Sequence, residues 1–220
     1  MLGLDPRLWS RECVLPYPRS FERSIDLLLE AAVFVSQGDS GRDPARDLIK
    51  QMDDQEMRSW FDDFAQNAGK VRLEMLGRKP QVPTGKSTVK RPTPRFELDI
   101  IRRDGFHCRY CGIRIVPNAQ FKKLQEVVGY ETLPNRSQAR RLTRNTDIHG
   151  IWLLTRATVD HVEPVSAGMA DVNRPENLVA SCWPCNYAKW KYTIEDLELD
   201  HPNMRRIKST GWLGLTDILR

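Results

Sequence analysis

The chain has 220 residues, 40% of them hydrophobic, and a formal net charge of +5. This length suits one or two domains with a substantial core. No apolar run approaches the roughly 20 residues that span a bilayer, and no signal peptide pattern begins the chain. We therefore expect a cytoplasmic protein without membrane partners.

The charge is unevenly distributed along the chain. Residues 1–75 contain 10 Lys/Arg against 14 Asp/Glu, a net charge of −4, whereas residues 76–220 contain 24 against 15, a net charge of +9. A basic region attracts polyanions because neutralised phosphates release their counterions. Solvated protein faces are often basic too, so charge alone leaves the partner open.

The N-terminal third has helical periodicity. Residues 21–37 carry apolar side chains at helical spacing, with Ser20 at the N-cap and Gly38 beyond the end. A second helix is predicted from Asp43-Pro44 to about residue 67, and its aromatic residues are best explained by core packing. We predict that residues 1–76 form a helical region that docks a partner, a second copy of the chain, or the rest of the chain itself.

Residues 77–95 contain four prolines and six basic residues. Prolines disfavour a helix or a central strand, so a basic, semi-extended linker is predicted. The same segment also suits contact with a nucleic-acid backbone.

Two Cys-x-x-Cys knuckles follow the linker and a short predicted helix over residues 96–103. Their cysteines are Cys108, Cys111, Cys182 and Cys185. Four thiolates can close a tetrahedral zinc site, which is structural because no position stays open for chemistry. Paired knuckles indicate a metal site rather than disulfides. His107 is an alternative ligand, although a packed neighbour is the better interpretation, and Cys13 is expected to be a free thiol.

A long segment of 48 residues separates Cys111 from Asp160. Two helices are expected within it, over residues 118–129 and 135–145. The second would align three guanidinium groups on one face, from Arg136, Arg140 and Arg144. A clamp on phosphates and a solvated face explain this pattern equally well.

The chain around the second knuckle predicts a strand, a loop and a helix. Residues 150–159 are β-branched and aromatic, which favours a strand leading directly into Asp160-His161. A loop over residues 163–176 follows, residues 177–182 return to the knuckle, and residues 183–192 form a helix. No function is predicted for the tail, residues 201–220.

Together these residues resemble the HNH endonucleases of the zinc-ribbon branch, which are ββα-metal (His-Me finger) nucleases. The resemblance covers about residues 102–197 and is carried by three groups: Asp160-His161 with Pro164, Asn177-Leu178, and Cys182-x-x-Cys185-Asn186-x-x-Lys189. It implies an α+β protein in which a Pro-rich basic linker joins the helical region to a zinc-stapled HNH domain over residues 96–200. The segment between the first knuckle and Asp160 is short in the simplest members of the family, so the resemblance also implies a helical insertion at about residues 118–148.

The resemblance implies metal-dependent hydrolysis of DNA phosphodiester bonds. His161 would be the general base, a role that suits a neutral imidazole. Asp160 and Asn186 would hold a catalytic Mg²⁺ or Mn²⁺ through oxygen atoms, and Asn177 would fix the loop that carries the base. Many relatives have histidine where Asn186 stands, so the preferred metal stays open. Lys189 is a candidate phosphate contact.

Other functions fit parts of the same pattern. A zinc-ribbon module that binds nucleic acid without cutting it is the main alternative, and a zinc domain for protein interaction is a third. RNA is an alternative substrate. The helical N-terminal region suits a homodimer or a partner protein, as in restriction or phage-defence systems that use HNH effectors.

Overall fold

The computed structural model describes residues 18–66, 90–134, 148–165, 171–204 and 210–220. The elements, in chain order, are α1 (Phe21–Ser36), α2 (Arg42–Lys50), α3 (Asp54–Trp60), a π-helical segment (Phe61–Gln66), α4 (Pro94–Arg103), α5 (Asn118–Val128), α6 (Gly150–Thr155), β1 (Ala157–His161), β2 (Leu178–Cys182) and α7 (Trp183–Lys189). This mixture of helices with a two-stranded sheet is the α+β class predicted from the sequence. None of the described helices is long and apolar enough to cross a membrane.

Several predicted features lie outside the described residues. They are Cys13, most of the linker, and the helix at 135–145 with Arg136, Arg140 and Arg144.

Helix α1 begins and ends within one residue of its prediction. Its buried side chains, Phe21, Ile25, Leu28, Ala32 and Val35 among them, recur at helical spacing on one face. Ser20 occupies the N-cap position without a side-chain capping bond. The periodicity of the apolar residues therefore determines this helix more than its cap does.

The single helix predicted from residue 43 to about 67 is wrong, because the chain turns after Lys50. The Asp53 side chain accepts a hydrogen bond from the Glu56 backbone N–H at 2.9 Å and so caps a new helix, α3. A capping aspartate competes with continued helix at its own position. Met52, just before this cap, is buried.

The described N-terminal helices share one hydrophobic core with the rest of the chain. Buried residues of α1 to α3 join the same cluster as α5, α6, β2 and the cysteines. Arg114 pairs with Glu22 and Asp26 of α1 at 2.8 and 2.9 Å. A Cβ atom added at Gly150 would lie 2.6 Å from the Met57 side chain, so α3 and α6 approach each other closely there. Docking of another protein by residues 1–76 stays a prediction.

The strand predicted over residues 150–159 is wrong in its first half. Gly150–Thr155 is helix α6, and all six of its residues are buried. His149 begins the helix by accepting the Ile151 N–H on its Nδ1 atom at 3.2 Å. Short apolar runs buried on every side do not distinguish strand from helix, and here the cap and the surrounding core favour helix.

Strands β1 and β2 form an antiparallel hairpin whose register orders the site. Ala157 lies opposite Cys182 at one end, and His161 lies opposite Leu178 at the other. Helix α7 follows β2 without a loop and packs against both strands. The chain therefore forms a ββα unit with cysteines at one end and Asp160-His161 at the other.

The end of α4 holds β2 in place. Arg103 donates to the backbone carbonyls of Leu178 at 2.7 Å and Pro175 at 2.8 Å. The buried Asp104 carboxylate accepts from the Ala180 N–H at 2.8 Å. These bonds align the segment just before the first knuckle with the strand that leads into the second.

Candidate active site

The two knuckles meet in one buried cluster. The Sγ atoms of Cys108, Cys111, Cys182 and Cys185 all lie within 4.8 Å of one another, and those of Cys111 and Cys182 are 3.7 Å apart. A tetrahedral zinc ion with Zn–S bonds of about 2.3 Å requires sulfur separations of about 3.8 Å. The spacing and the thiol donors therefore fit a structural zinc ion, as predicted.

Electrostatics in the cluster favour a bound cation. Burial raises the pKa of Cys111, Cys182 and Cys185. Burial also opposes ionisation of Cys108, yet hydrogen bonds from the other three thiols outweigh it and hold the Cys108 pKa well below its usual range. Four thiolates in so small a buried volume require a positive charge among them.

His107 is a packed neighbour of the cluster, in agreement with the preferred interpretation. Its Nδ1 atom lies 2.6 Å from the Gly105 carbonyl, and its Nε2 atom lies 3.3 Å from the Thr210 hydroxyl. Both ring nitrogens thus have other partners, and within the described residues the candidate metal group contains only cysteines.

The Asp160 carboxylate lies at the opposite end of the hairpin and is 6% exposed. Its Oδ2 atom accepts a hydrogen bond from the Tyr110 hydroxyl at 2.7 Å and lies 3.3 Å from the Lys189 ammonium. Burial, and then the Asp160 charge, raises the pKa of Tyr110 well above its usual value, so the phenol stays a donor. Since Tyr110 stands between Cys108 and Cys111, it connects the first knuckle directly to Asp160.

Lys189 is fully buried, and its ammonium donates to the His161 backbone carbonyl at 2.7 Å. One side chain of α7 thus contacts both residues of the Asp160-His161 pair. The phosphate contact suggested for Lys189 stays a prediction. The roles of Lys189 and Tyr110 inside the site were not foreseen, although a phenol within a knuckle was a signal that could have indicated one of them.

His161 ends β1 with a half-buried ring. Its Nε2 atom lies 2.9 Å from the Oδ1 atom of Asn173, whose Nδ2 atom donates to the Lys90 carbonyl at 2.7 Å. The sequence predicted only a loop around Asn173, so this partner of the histidine was missed. Lys90 belongs to the described end of the predicted linker.

Asn177 is 3% exposed and closes the loop that follows His161. Its Oδ1 atom accepts from the Glu163 N–H at 2.8 Å, and its Nδ2 atom donates to the carbonyls of Glu163 at 3.1 Å and Val172 at 2.8 Å. The Asn177 carbonyl also accepts from the Val162 N–H at 2.9 Å. One amide therefore joins both ends of the loop.

Asn186 lies in α7 against β1. Its Nδ2 atom is 3.1 Å from the Thr158 hydroxyl and 3.3 Å from the Val159 carbonyl. Thr158 and Asp160 are two residues apart in a strand and so share a face of the hairpin. Asn186 and Asp160 thus both approach the face that α7 covers. Within the described residues, no hydrogen bond joins Asp160, His161 and Asn186 to one another.

The oxygen donors on this face suit a hard divalent cation. A carboxylate and an amide oxygen are the ligand types that Mg²⁺ takes, with waters and a phosphate completing its shell. Asp160 would share its carboxylate between such an ion and the Lys189 ammonium. The donor chemistry therefore fits, and Lys189 is the group with which the ion would compete.

A family model described as HNH endonuclease matches residues 145–192. This segment contains the hairpin, α7, the second knuckle and every residue predicted to act in catalysis, and it confirms the resemblance seen in the sequence. The segment is thus similar to HNH endonuclease domains, a family whose members are generally metal-binding nucleases that act on nucleic acids. No match was found among curated proteins or among solved structures.

Proposed function

We propose that this protein is a metal-dependent endonuclease that hydrolyses phosphodiester bonds of DNA, with His161 as its general base. The observation that carries the proposal is the family match over a ββα unit in which Asp160-His161 ends β1. Phosphodiester hydrolysis needs an activated water, charge neutralisation at the phosphate and support for the leaving oxygen. The ββα unit offers a residue for each need.

The imidazole of His161 takes a proton from the attacking water. Histidine suits this task because its neutral form is abundant at physiological pH. The half-buried ring is accessible in part to solvent. The side-chain hydrogen bonds of Asn177 to Glu163 and Val172 fix the loop that follows His161 and so help to hold the ring in place. Asn177 acts on the loop rather than on the reacting atoms.

Asp160 and Asn186 are the proposed ligands of the catalytic divalent ion. When bound, Mg²⁺ or Mn²⁺ would supply positive charge at the scissile phosphate and its leaving oxygen. Asp160 contributes an anionic oxygen and Asn186 a neutral one. Tyr110 and Lys189 orient the carboxylate from its other side.

The four-cysteine zinc site has a structural role in this proposal. It anchors the two knuckles at one end of the hairpin, and Tyr110 extends that anchor to Asp160. The catalytic groups would therefore keep their geometry without contacting the zinc ion.

The substrate proposal rests on charge. The basic half of the chain contains the HNH domain, and Arg136, Arg140 and Arg144 remain the proposed contacts to phosphates. The helical N-terminal region would bind a second copy or a partner protein. Such a pairing would suit an effector of a restriction or phage-defence system, because one ββα site cuts one strand at a time.

One observation favours a second function, nucleic-acid binding without cleavage. The Asp160 carboxylate is held by a phenol and an ammonium, and no hydrogen bond joins it to His161 or Asn186 among the described residues. A zinc-stapled module of this kind would bind DNA through its basic surface alone.

Incubation of the full chain with supercoiled plasmid separates the two functions. We expect nicking with Mg²⁺ or Mn²⁺, none with EDTA, and loss of nicking in His161→Ala with zinc content unchanged. His201→Ala is the matched control, because His201 is an exposed histidine that belongs to neither strand of the hairpin nor α7. A salt-sensitive mobility shift with DNA, without nicking under any metal, would instead establish the binding module.

A further inference from the structure

We propose that Asn173 is a positioning residue that fixes the tautomer of His161 and so selects Nδ1 as the nitrogen that takes the proton. The inference rests on the proposed nuclease function for its consequence. The tautomer of His161, which is the ring nitrogen that bears the hydrogen, can be measured without an activity assay.

The orientation of the Asn173 amide follows from its second partner. The Lys90 carbonyl has no proton and can only accept, so the Asn173 atom 2.7 Å from it must be the amide nitrogen. The amide oxygen must then face the Nε2 atom of His161 at 2.9 Å. The contact to Lys90 thereby removes the ambiguity that usually attends an asparagine side chain.

The tautomer of His161 follows from that orientation. An amide oxygen accepts and never donates, so the Nε2 atom must carry hydrogen to form this bond. A neutral imidazole has one protonated nitrogen, so its lone pair then lies at Nδ1. Nδ1 is the atom that can accept a proton from water.

The loop geometry holds Asn173 in place for this task. Val172, its neighbour, accepts through its carbonyl from the Asn177 amide, which also bonds Glu163 two residues after the histidine. The His161 end and the Asn173 end of the loop are therefore held by one side chain. Asn177 fixes the backbone, and Asn173 contacts the ring.

Lys90 connects the Asn173–His161 contact to a part of the chain outside the family match, which begins at residue 145. Lys90 lies three residues before Thr93, whose hydroxyl caps α4 by accepting the Phe96 N–H at 3.3 Å. The segment that enters α4 thus supplies the carbonyl that orients Asn173. Orientation of the base depends on this approach segment as well as on the ββα unit.

The test uses the full chain with ¹⁵N-labelled histidine. The protein has four histidines, and the His161 signals are identified by their loss in His161→Ala. We expect nitrogen shifts of a protonated Nε2 and an unprotonated Nδ1 in the parent protein. Asn173→Leu, of similar volume without polar atoms, should lose this single tautomer, whereas Asn173→Asp keeps an acceptor and should retain it.

Kinetics give a second readout on the same variants. Loss of an outer partner that orients a metal-bound histidine typically costs about 10- to 100-fold in activity, and we take the same order for this imidazole. We expect Asn173→Leu to lower kcat by that factor with KM nearly unchanged, which indicates an interaction made in the transition state. Asn173→Asp should recover part of kcat, because it keeps the acceptor for Nε2 and loses the donor to the Lys90 carbonyl. Asn203→Leu is the matched control, because Asn203 is exposed and, among the residues that the structure describes, bonds the Glu176 carbonyl and its own turn.

Defined outcomes overturn the inference. Hydrogen on Nδ1 in the parent protein, or an unchanged tautomer in a folded Asn173→Leu, would refute it. If Asn173→Leu does not fold, the parent spectrum and Asn173→Asp decide the question alone. A correct tautomer in a protein that nicks no DNA would refute the nuclease function while leaving the positioning role intact.

Discussion

The two ends of the β1–β2 hairpin differ in chemistry. At the end beside Ala157, four buried thiols face one another. At the end beside His161, a half-buried imidazole contacts Asn173, and a buried carboxylate and a buried ammonium pair with each other. The first arrangement suits an ion held for stability, and the second suits groups that react. Tyr110 is the direct connection between them, so the comparison can be tested from both ends.

The largest effect is expected at the cysteine end. Binding of structural zinc contributes on the order of 10–16 kcal/mol to the folding of small domains. The whole free energy of unfolding of a typical domain is about 5–15 kcal/mol, so the zinc contribution is of equal or greater size. Cys185→Ser or Cys108→Ser should therefore lose zinc and cooperative folding together, as measured by metal analysis and thermal unfolding. Cys13→Ser is the matched control and should retain zinc. A Cys185→Ser protein with full zinc content and an unchanged Tm would refute the structural role.

At the other end, Lys189→Met should be the most damaging change. Removing one partner of a buried ion pair costs about 3–5 kcal/mol because the other charge is left unpaired, and Asp160 would lose the ammonium at 3.3 Å. Denaturant unfolding would measure the loss. The double variant Lys189→Met with Asp160→Asn should be more stable than Lys189→Met alone. If the two losses simply add, the pair is not coupled.

Acid should weaken the helical core behind the hairpin. Burial lowers the pKa of His149 to about 4, an effect that outweighs the raising influence of Asp54. The unfolded chain binds this proton near pH 6.5, whereas the folded chain binds it only near pH 4. The contribution of neutral His149 to the free energy of unfolding is therefore fully present above pH 6.5 and is lost as the pH falls from 6.5 to 4. The loss is on the order of 3 kcal/mol. Unfolding of parent and His149→Asn between pH 7 and 4 measures it, and equal pH slopes would contradict the assignment.

The smallest effect on stability is expected for the hydrogen bond between Tyr110 and Asp160, which connects the two ends. Tyr110→Phe removes the hydrogen bond to Asp160, and hydrogen bonds to charged groups contribute about 1.5–3 kcal/mol. We expect retained zinc, a modest loss of stability and a larger loss of nicking, because the carboxylate is then less well oriented. Tyr187→Phe is the control, since Tyr187 is an exposed tyrosine of α7. Full nicking activity in Tyr110→Phe would mean that the two ends act independently.

The sequence predicted those features whose signals are local. Cysteine spacing indicated the zinc cluster, and the Asp160-His161 and Asn177 motifs indicated the nuclease class that the family match supports. Helices α1, α4 and α5 begin and end close to their predicted bounds because apolar periodicity, a Thr-Pro start and Gly129 all act within a few residues.

The tertiary structure decided what depends on distant neighbours. Residues 150–155 form a helix because the core surrounds them on every side, which no short apolar run reveals. The Asp160 carboxylate bonds Tyr110, which lies 50 residues away in the chain. The His161 backbone carbonyl bonds Lys189, 28 residues away, and the His161 ring contacts Asn173, 12 residues away. Residue types and spacing determined which chemistry is available to this chain. Packing alone decided which polar atoms meet, because a buried donor or acceptor takes whichever partner the fold brings within reach.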